Sequence, residues 1–134
     1  MNLIDLQKVF ETDSNIAATA TILSDDKYKN TYIKGLLGSA VAMFATALFH
    51  KKRNCYLYVI DNQENAGYFY HDLTQILGTE NVLFFPSAYK RAVKYGQIDA
   101  ASEILRTEVL GKMQNDERNF IIVSYPEALS EKVV

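Results

Sequence analysis

Apolar residues Leu3, Leu6, Val9 and Phe10 recur at helical spacing, and Ser14-Asn15 then offers a cap before the mainly apolar run 16–23. Two helices are predicted there. The polar stretch Ser24-Asp25-Asp26-Lys27-Tyr28-Lys29 breaks the pattern, and beyond it the rhythm changes. Short apolar runs at 31–34, 55–60, 82–85 and 120–124 alternate with longer segments at 39–50, 63–77 and 99–113, and a last helix starts near Pro126. The runs at 55–60 and 120–124 are almost continuously apolar, which suits strands buried on both faces of a parallel sheet. Strand and helix in alternation predict an α/β layer fold with right-handed crossovers and a short, mainly parallel sheet. The punctuation agrees: Asp61-Asn62 opens the helix at 63–77, Gly78 follows it, and Pro126 stands where a first helical turn accepts proline. Residues 86–98 read as an irregular connection. A sheet that ends with Lys132-Val133-Val134, barely into a helix, is expected to be an incomplete domain of a longer protein.

Composition narrows the class. The chain has 134 residues, 49% of them hydrophobic and 22% charged, which suits one domain with a real core and excludes a disordered tail. One cysteine and two histidines exclude a disulfide framework and argue against a structural zinc site. A formal charge of −2 gives no whole-domain pull toward nucleic acid, so any contact with DNA has to be local. The start lacks a basic segment followed by an apolar one, and the apolar stretch 40–49 is half the ~20 residues of a membrane span. No membrane role is expected, and a cytoplasmic location is.

The most informative stretch is Tyr32-Ile33-Lys34-Gly35-Leu36-Leu37-Gly38-Ser39-Ala40-Val41-Ala42. A predicted strand runs into a glycine-bearing turn and then into a helix, the local geometry of a phosphate-binding loop. On the pattern G-x-x-x-x-G-K-[ST], Gly35 takes the first glycine, Ala40 the second, Val41 the lysine and Ala42 the hydroxyl. Ala40 places a Cβ where the backbone approaches phosphate. Val41 lacks the ammonium that reaches the outer phosphates, and Ala42 lacks the hydroxyl that holds Mg²⁺. The reading is a phosphate-loop architecture from which catalysis has been deleted, with Gly35, Gly38, Ser39, Ala40, Val41 and Ala42 as its remains. No catalytic residue, metal ligand or cofactor is assigned. Two alternatives stay open: Gly35 and Gly38 merely permit a tight turn, or the chain is a nucleotide- or dinucleotide-binding enzyme fragment with Asp61 gripping a ribose. The spacing G-x-x-G-x-A is wrong for the dinucleotide fingerprint, and an aspartate after a strand also serves as a helix cap.

Other candidates are weaker. Lys90, Arg91 and Lys94, with Tyr89 and Tyr95 interleaved, form a candidate partner or nucleic-acid contact on the irregular connection. His50-Lys51-Lys52-Arg53 complements a helix C-terminus. Phe69, Leu73, Ile76 and Leu77 suit a buried stripe that leaves His71 outside it, and Ala101, Leu105 and Val109 suit another. Cys55 opens an apolar strand, is expected to be buried, and has no activating base nearby in sequence.

Read whole, residues 32–134 resemble the N-terminal region of the bacterial transcription-repair coupling factors, the Mfd family. Four pieces in order carry the resemblance: Gly35-Leu36-Leu37-Gly38-Ser39-Ala40; Val82-Leu83-Phe84-Phe85-Pro86; Asp99-Ala100-Ala101-Ser102-Glu103-Ile104-Leu105-Arg106; and Ile121-Ile122-Val123-Ser124-Tyr125-Pro126-Glu127-Ala128-Leu129. In that family the region is similar to the first domain of the excision-repair helicase UvrB, a three-layer helicase or P-loop NTPase fold, with ATP hydrolysis lost. The resemblance implies an N-terminal helical segment over 1–29 and the first part of a UvrB-like degenerate P-loop domain over 30–134. It also implies a larger protein that works on DNA, displaces stalled RNA polymerase with a separate ATP- and Mg-dependent motor, and recruits UvrA through surfaces beyond residue 134. Residues 86–98 are too few for the long hairpin that UvrB threads between DNA strands, so that function is not carried over. This fragment is expected to be a non-catalytic scaffold that packs on the rest of its own chain.

Overall fold

A computed structural model describes residues 2–89, 99–115 and 119–132. The chain forms two compact units, Met1–Asn54 and Cys55–Val134.

The first unit is helical. Helix α1 (Leu3–Glu11) starts on a capping box in which the Asn2 side chain accepts from the Asp5 N–H at 2.9 Å and the Asp5 carboxylate accepts from the Asn2 N–H at 3.2 Å. Helix α2 (Ser14–Leu23) is capped by Asp13, one residue earlier than the predicted cap, through its carboxylate and the Asn15 N–H at 2.7 Å. Helix α3 (Ala40–Lys51) packs against both and is buried continuously over residues 42–49. The hydroxyl of buried Thr46 donates to the Ala42 carbonyl at 2.9 Å, so the apolar helix carries no orphaned donor at that point. His50 and Glu11 meet at 2.6 Å and tie the end of α3 to the end of α1.

The predicted strand at 31–34 does not form. Residues 31–37 have no regular structure, and Tyr32 and Leu37 are 87% and 83% exposed. Thr31-Tyr32-Ile33-Lys34 has the composition of a strand, but a strand exists only with a ladder partner, and among the described residues this segment has none.

The second unit is an α/β layer structure with a three-stranded parallel sheet of order β1-β3-β2, built from β1 (Tyr56–Val59), β2 (Val82–Phe84) and β3 (Ile121–Ser124). Helix α4 (Gln63–Leu77) connects β1 to β2, α5 (Ala100–Gln114) leads into β3, and α6 (Pro126–Ser130) follows it with Pro126 in its first turn. The chain crosses the sheet outward through α4 and back through α5, so right-handed crossovers put these helices on opposite faces. Side chains agree. Tyr58 meets Phe69 of α4 at 5.3 Å between ring centroids and Phe84 meets Tyr70 at 5.2 Å, while Phe85, on the other face, lies 4.1 Å under the guanidinium of Arg106 of α5.

Only the central strand matches the expectation of burial on both faces. All of β3 is buried, whereas β1 is an edge strand whose Leu57 and Val59 are about half exposed. Cys55, expected inside, is exposed for the same reason. The stripe of α4 buries Phe69 and Leu73, with His71 outside as expected. In α5, Val109 is buried and Leu105 half-buried as expected, whereas Ala101 is exposed and Arg106 is buried in its place. After α4 the chain turns at Gly78, whose φ of 81° and ψ of 169° form a combination essentially confined to glycine.

Candidate functional site

The glycine turn has one feature in common with a phosphate loop. Gly35 and Gly38 hold φ values of 94° and 56°, in the left-handed region that favours glycine, and the chain passes directly from Gly38-Ser39 into α3. A Cβ added at either glycine would meet nothing within 4 Å, so backbone conformation and not crowding selects them. Two of the N–H groups that would cradle an anion, those of Ala40 and Val41, are engaged in the turn itself. Ala40 donates to the Leu37 carbonyl at 3.1 Å, Val41 to Gly38 at 3.3 Å, and Met43 to Ser39 at 3.1 Å. Ser39 is in the α conformation and makes no side-chain cap bond. Val41 is half-buried and Ala42 is 0% exposed, inside the helical core. A magnesium nucleotide therefore does not fit these residues: the cation and the hydroxyl are missing, and the third position faces the interior.

A cavity of about 440 Å³ is lined by residues 31–36 and by α2. Phe10, Ile16 and Phe44 give it apolar walls, Asp13, Thr19 and Lys34 contribute polar groups, and none of residues 38–42 lines it. Asp13 and Lys34 are the charged residues of the lining, and Asp13 caps α2 through one of its two carboxylate oxygens.

The remaining sequence candidates are dispersed. Lys90, Arg91 and Lys94 lie outside the described residues. In the cluster at 50–53, His50 pairs with Glu11 and the guanidinium of Arg53 lies 4.5 Å from the centre of the Phe49 ring, which is a structural use of both. Although Cys55 is largely exposed, partial desolvation pushes its thiol above the ordinary range, the opposite of what a nucleophile needs. Asp61 follows β1 and both its oxygens accept from the Asn65 side chain, at 3.0 and 3.2 Å, while Asn62 caps α4.

The densest polar arrangement involves residues that motif and composition leave unmarked. Arg106, 6% exposed, donates through Nη1 to the carbonyls of Pro86 and Ala128, each at 2.9 Å, and stands 3.4 Å from Oε2 of Glu131. That carboxylate accepts from the Ala88 N–H at 2.9 Å and from the Ser87 hydroxyl. The Ser87 N–H donates to the Tyr125 hydroxyl at 2.7 Å, and the Ser124 hydroxyl to the Phe85 carbonyl at 2.8 Å. The loops leaving β2 and β3 are thus stitched together beyond the carboxyl ends of the strands. The signal that could reveal it is spacing: Ser102, Leu105, Arg106 and Val109 stand at i, i+3, i+4, i+7, which places a cation on the core face of α5.

Among the described residues, no group of three His, Cys, Asp or Glu side chains is arranged to hold a metal ion, and no helix is long and apolar enough to cross a membrane. No family model, curated protein or solved structure matches the chain.

Proposed function

We propose that this chain is the UvrB-like N-terminal region of a transcription-repair coupling factor of the Mfd family, and that it acts as a non-catalytic scaffold. In this reading its second unit is the first part of a helicase-type α/β domain, and its glycine turn is a phosphate loop that no longer serves a nucleotide. It works in the cytoplasm within a longer protein, whose separate motor uses ATP and Mg²⁺ to move on DNA and displace stalled RNA polymerase. The scaffold packs on the rest of that chain, where it restrains activity and supports recruitment of UvrA.

The observation that carries the reading is the turn from Gly35 to Ala42. Two left-handed glycines lead straight into a helix, yet the N–H groups of Ala40 and Val41 are bonded within the turn and Ala42 is in the core. Electrostatic stabilisation of a transferring phosphoryl group needs a cation and a metal ligand at these positions, and neither side chain supplies one. The order of the four family-like pieces along a parallel α/β chain is the second support.

Three measurements test it. Calorimetric titration with Mg-ATP is expected to show no saturable micromolar binding, and the chain no hydrolysis above background; either activity refutes the deleted-catalysis reading. A coupling factor whose N-terminal region is replaced by this chain is expected to keep ATP-dependent displacement of stalled RNA polymerase. A chimera that folds but has lost displacement refutes the family reading.

A further inference from the structure

We propose that the loops at the carboxyl ends of β2 and β3 form an oxyanion-binding cradle that the chain's own Glu131 carboxylate occupies. A small carboxylate or phosphate group takes the same place when Glu131 withdraws.

Two adjacent residues of one loop and a cation from α5 converge on one carboxylate: the Ser87 hydroxyl donates to Oε1, the Ala88 N–H donates to Oε2 at 2.9 Å, and Arg106, whose Nη1 hydrogens go to the two carbonyls, brings its charge to 3.4 Å from Oε2. Each is held in place by something other than Glu131. The Arg106 guanidinium is fixed by the Pro86 and Ala128 carbonyls and by the Phe85 ring. The Ser87 backbone is fixed by the Tyr125 hydroxyl, and Ala88 by its carbonyl, which accepts the Asp99 N–H at 2.7 Å. A cradle whose donors are set beforehand binds an oxyanion without reorganising.

Glu131 fills the cradle incompletely. Arginine and a carboxylate pair most favourably through two parallel bonds. Here the contact is a single approach at 3.4 Å, and Nη2 of Arg106 is buried without an acceptor among the described residues. The guanidinium thus keeps donor capacity that the tethered carboxylate does not use. The tether is slight: Glu131 follows a helix of five residues in extended conformation, between exposed Ser130 and Lys132. The position also lies beyond the carboxyl ends of the strands, the side on which parallel α/β sheets bind ligands.

The test uses the full chain with Glu131→Ala and Glu131→Gln, melted in buffers where acetate or inorganic phosphate replaces chloride at constant ionic strength. A saturating rise in melting temperature is expected for Glu131→Ala with at least one anion, a smaller one for Glu131→Gln, and the least for the wild type. If Glu131→Ala is unfolded in chloride, recovery of its far-ultraviolet circular dichroism on adding the anion is the same result. The anion with the lower half-saturation concentration assigns the cradle to carboxylate or to phosphate. The response requires Arg106, so the double variant Arg106→Met/Glu131→Ala is expected to gain nothing from either anion. The proposal is overturned if neither anion stabilises or refolds Glu131→Ala, or if the wild type or the double variant gains as much, which marks a general salt effect. A Glu131 that only clasps two loops gives the first of these failures.

Discussion

Replacing Arg106 by Met tests the largest energetic claim that the structure makes. Methionine keeps an unbranched side chain of similar reach over the Phe85 ring, so the change chiefly removes the guanidinium. Glu131 then loses its charged partner, and the Pro86 and Ala128 carbonyls lose a donor each. Breaking one half of a buried ion pair costs about 3–5 kcal/mol, because the remaining charge stays desolvated. Glu131 retains the Ser87 and Ala88 donors and its side chain keeps 15% exposure, which favours the lower half of that range. At roughly 3–4 °C per kcal/mol for a chain of this size, the thermal midpoint drops by about 10–15 °C. Circular dichroism melts and urea titrations of Arg106→Met measure the loss, with Glu108→Ala, on the exposed side of α5, as a control expected to stay within ~0.5 kcal/mol. The double variant Arg106→Met/Glu131→Gln is expected to lose less than the sum of the single variants, by more than ~1 kcal/mol of coupling. If Arg106→Met melts within about 1 kcal/mol of the wild type, the stitched loops contribute little to stability and the network is incidental.

Three further outcomes follow from named geometry. Gly78→Ala forces a side chain onto φ 81° and ψ 169° and is expected to cost ~1–3 kcal/mol, whereas Gly67→Ala, inside α4 with no neighbour within 4 Å of a new Cβ, is expected to gain ~0.5–1 kcal/mol; equal effects in chemical denaturation refute the backbone argument. Burial, and secondarily the neighbouring Tyr56, raises the Tyr58 hydroxyl well above the ordinary tyrosine range. The folded state therefore keeps a proton that the unfolded chain releases near pH ~10, so stability is intact below that pH and falls above it; Tyr58→Phe is expected to flatten the alkaline limb of a pH–stability curve. Val41→Lys/Ala42→Thr, which restores the two side chains of a working phosphate loop, is expected to cost about 1–3 kcal/mol by overpacking position 42; micromolar ATP binding by this variant, measured by calorimetry, refutes the view that turn geometry also bars the nucleotide.

Local chemistry makes much of the fold legible beforehand. Helix α4 begins and ends where Asn62 and Gly78 indicate, and Pro126 opens α6, because capping and backbone preference act within a few residues. Residues 31–34 show where such reasoning stops. Their composition is that of a strand, but pairing needs a partner brought from elsewhere in the chain, and among the described residues they have none. The candidate loop divides the same way: glycines at left-handed positions are visible in the sequence, whereas the bonding of the Ala40 and Val41 N–H groups and the burial of Ala42 are not. Arg106 escapes it because a charged residue reads as exposed until its acceptors are known, and these are backbone carbonyls twenty and twenty-two positions away.

By itself, then, the order of residues determined the helices, their caps, the alternation that makes an α/β unit, and the absence of a lysine and a hydroxyl where a phosphate loop requires them. Each of these depends on interactions within a turn or two of helix, or on side-chain chemistry that folding cannot supply. The tertiary structure alone decided that β3 is central and β1 an edge, that the glycine turn has no strand behind it, and that Arg106 and Glu131 meet beyond the strand ends. Those outcomes turn on which distant segments share a ladder or a buried charge, and such pairings are set by the free energy of the whole packed chain.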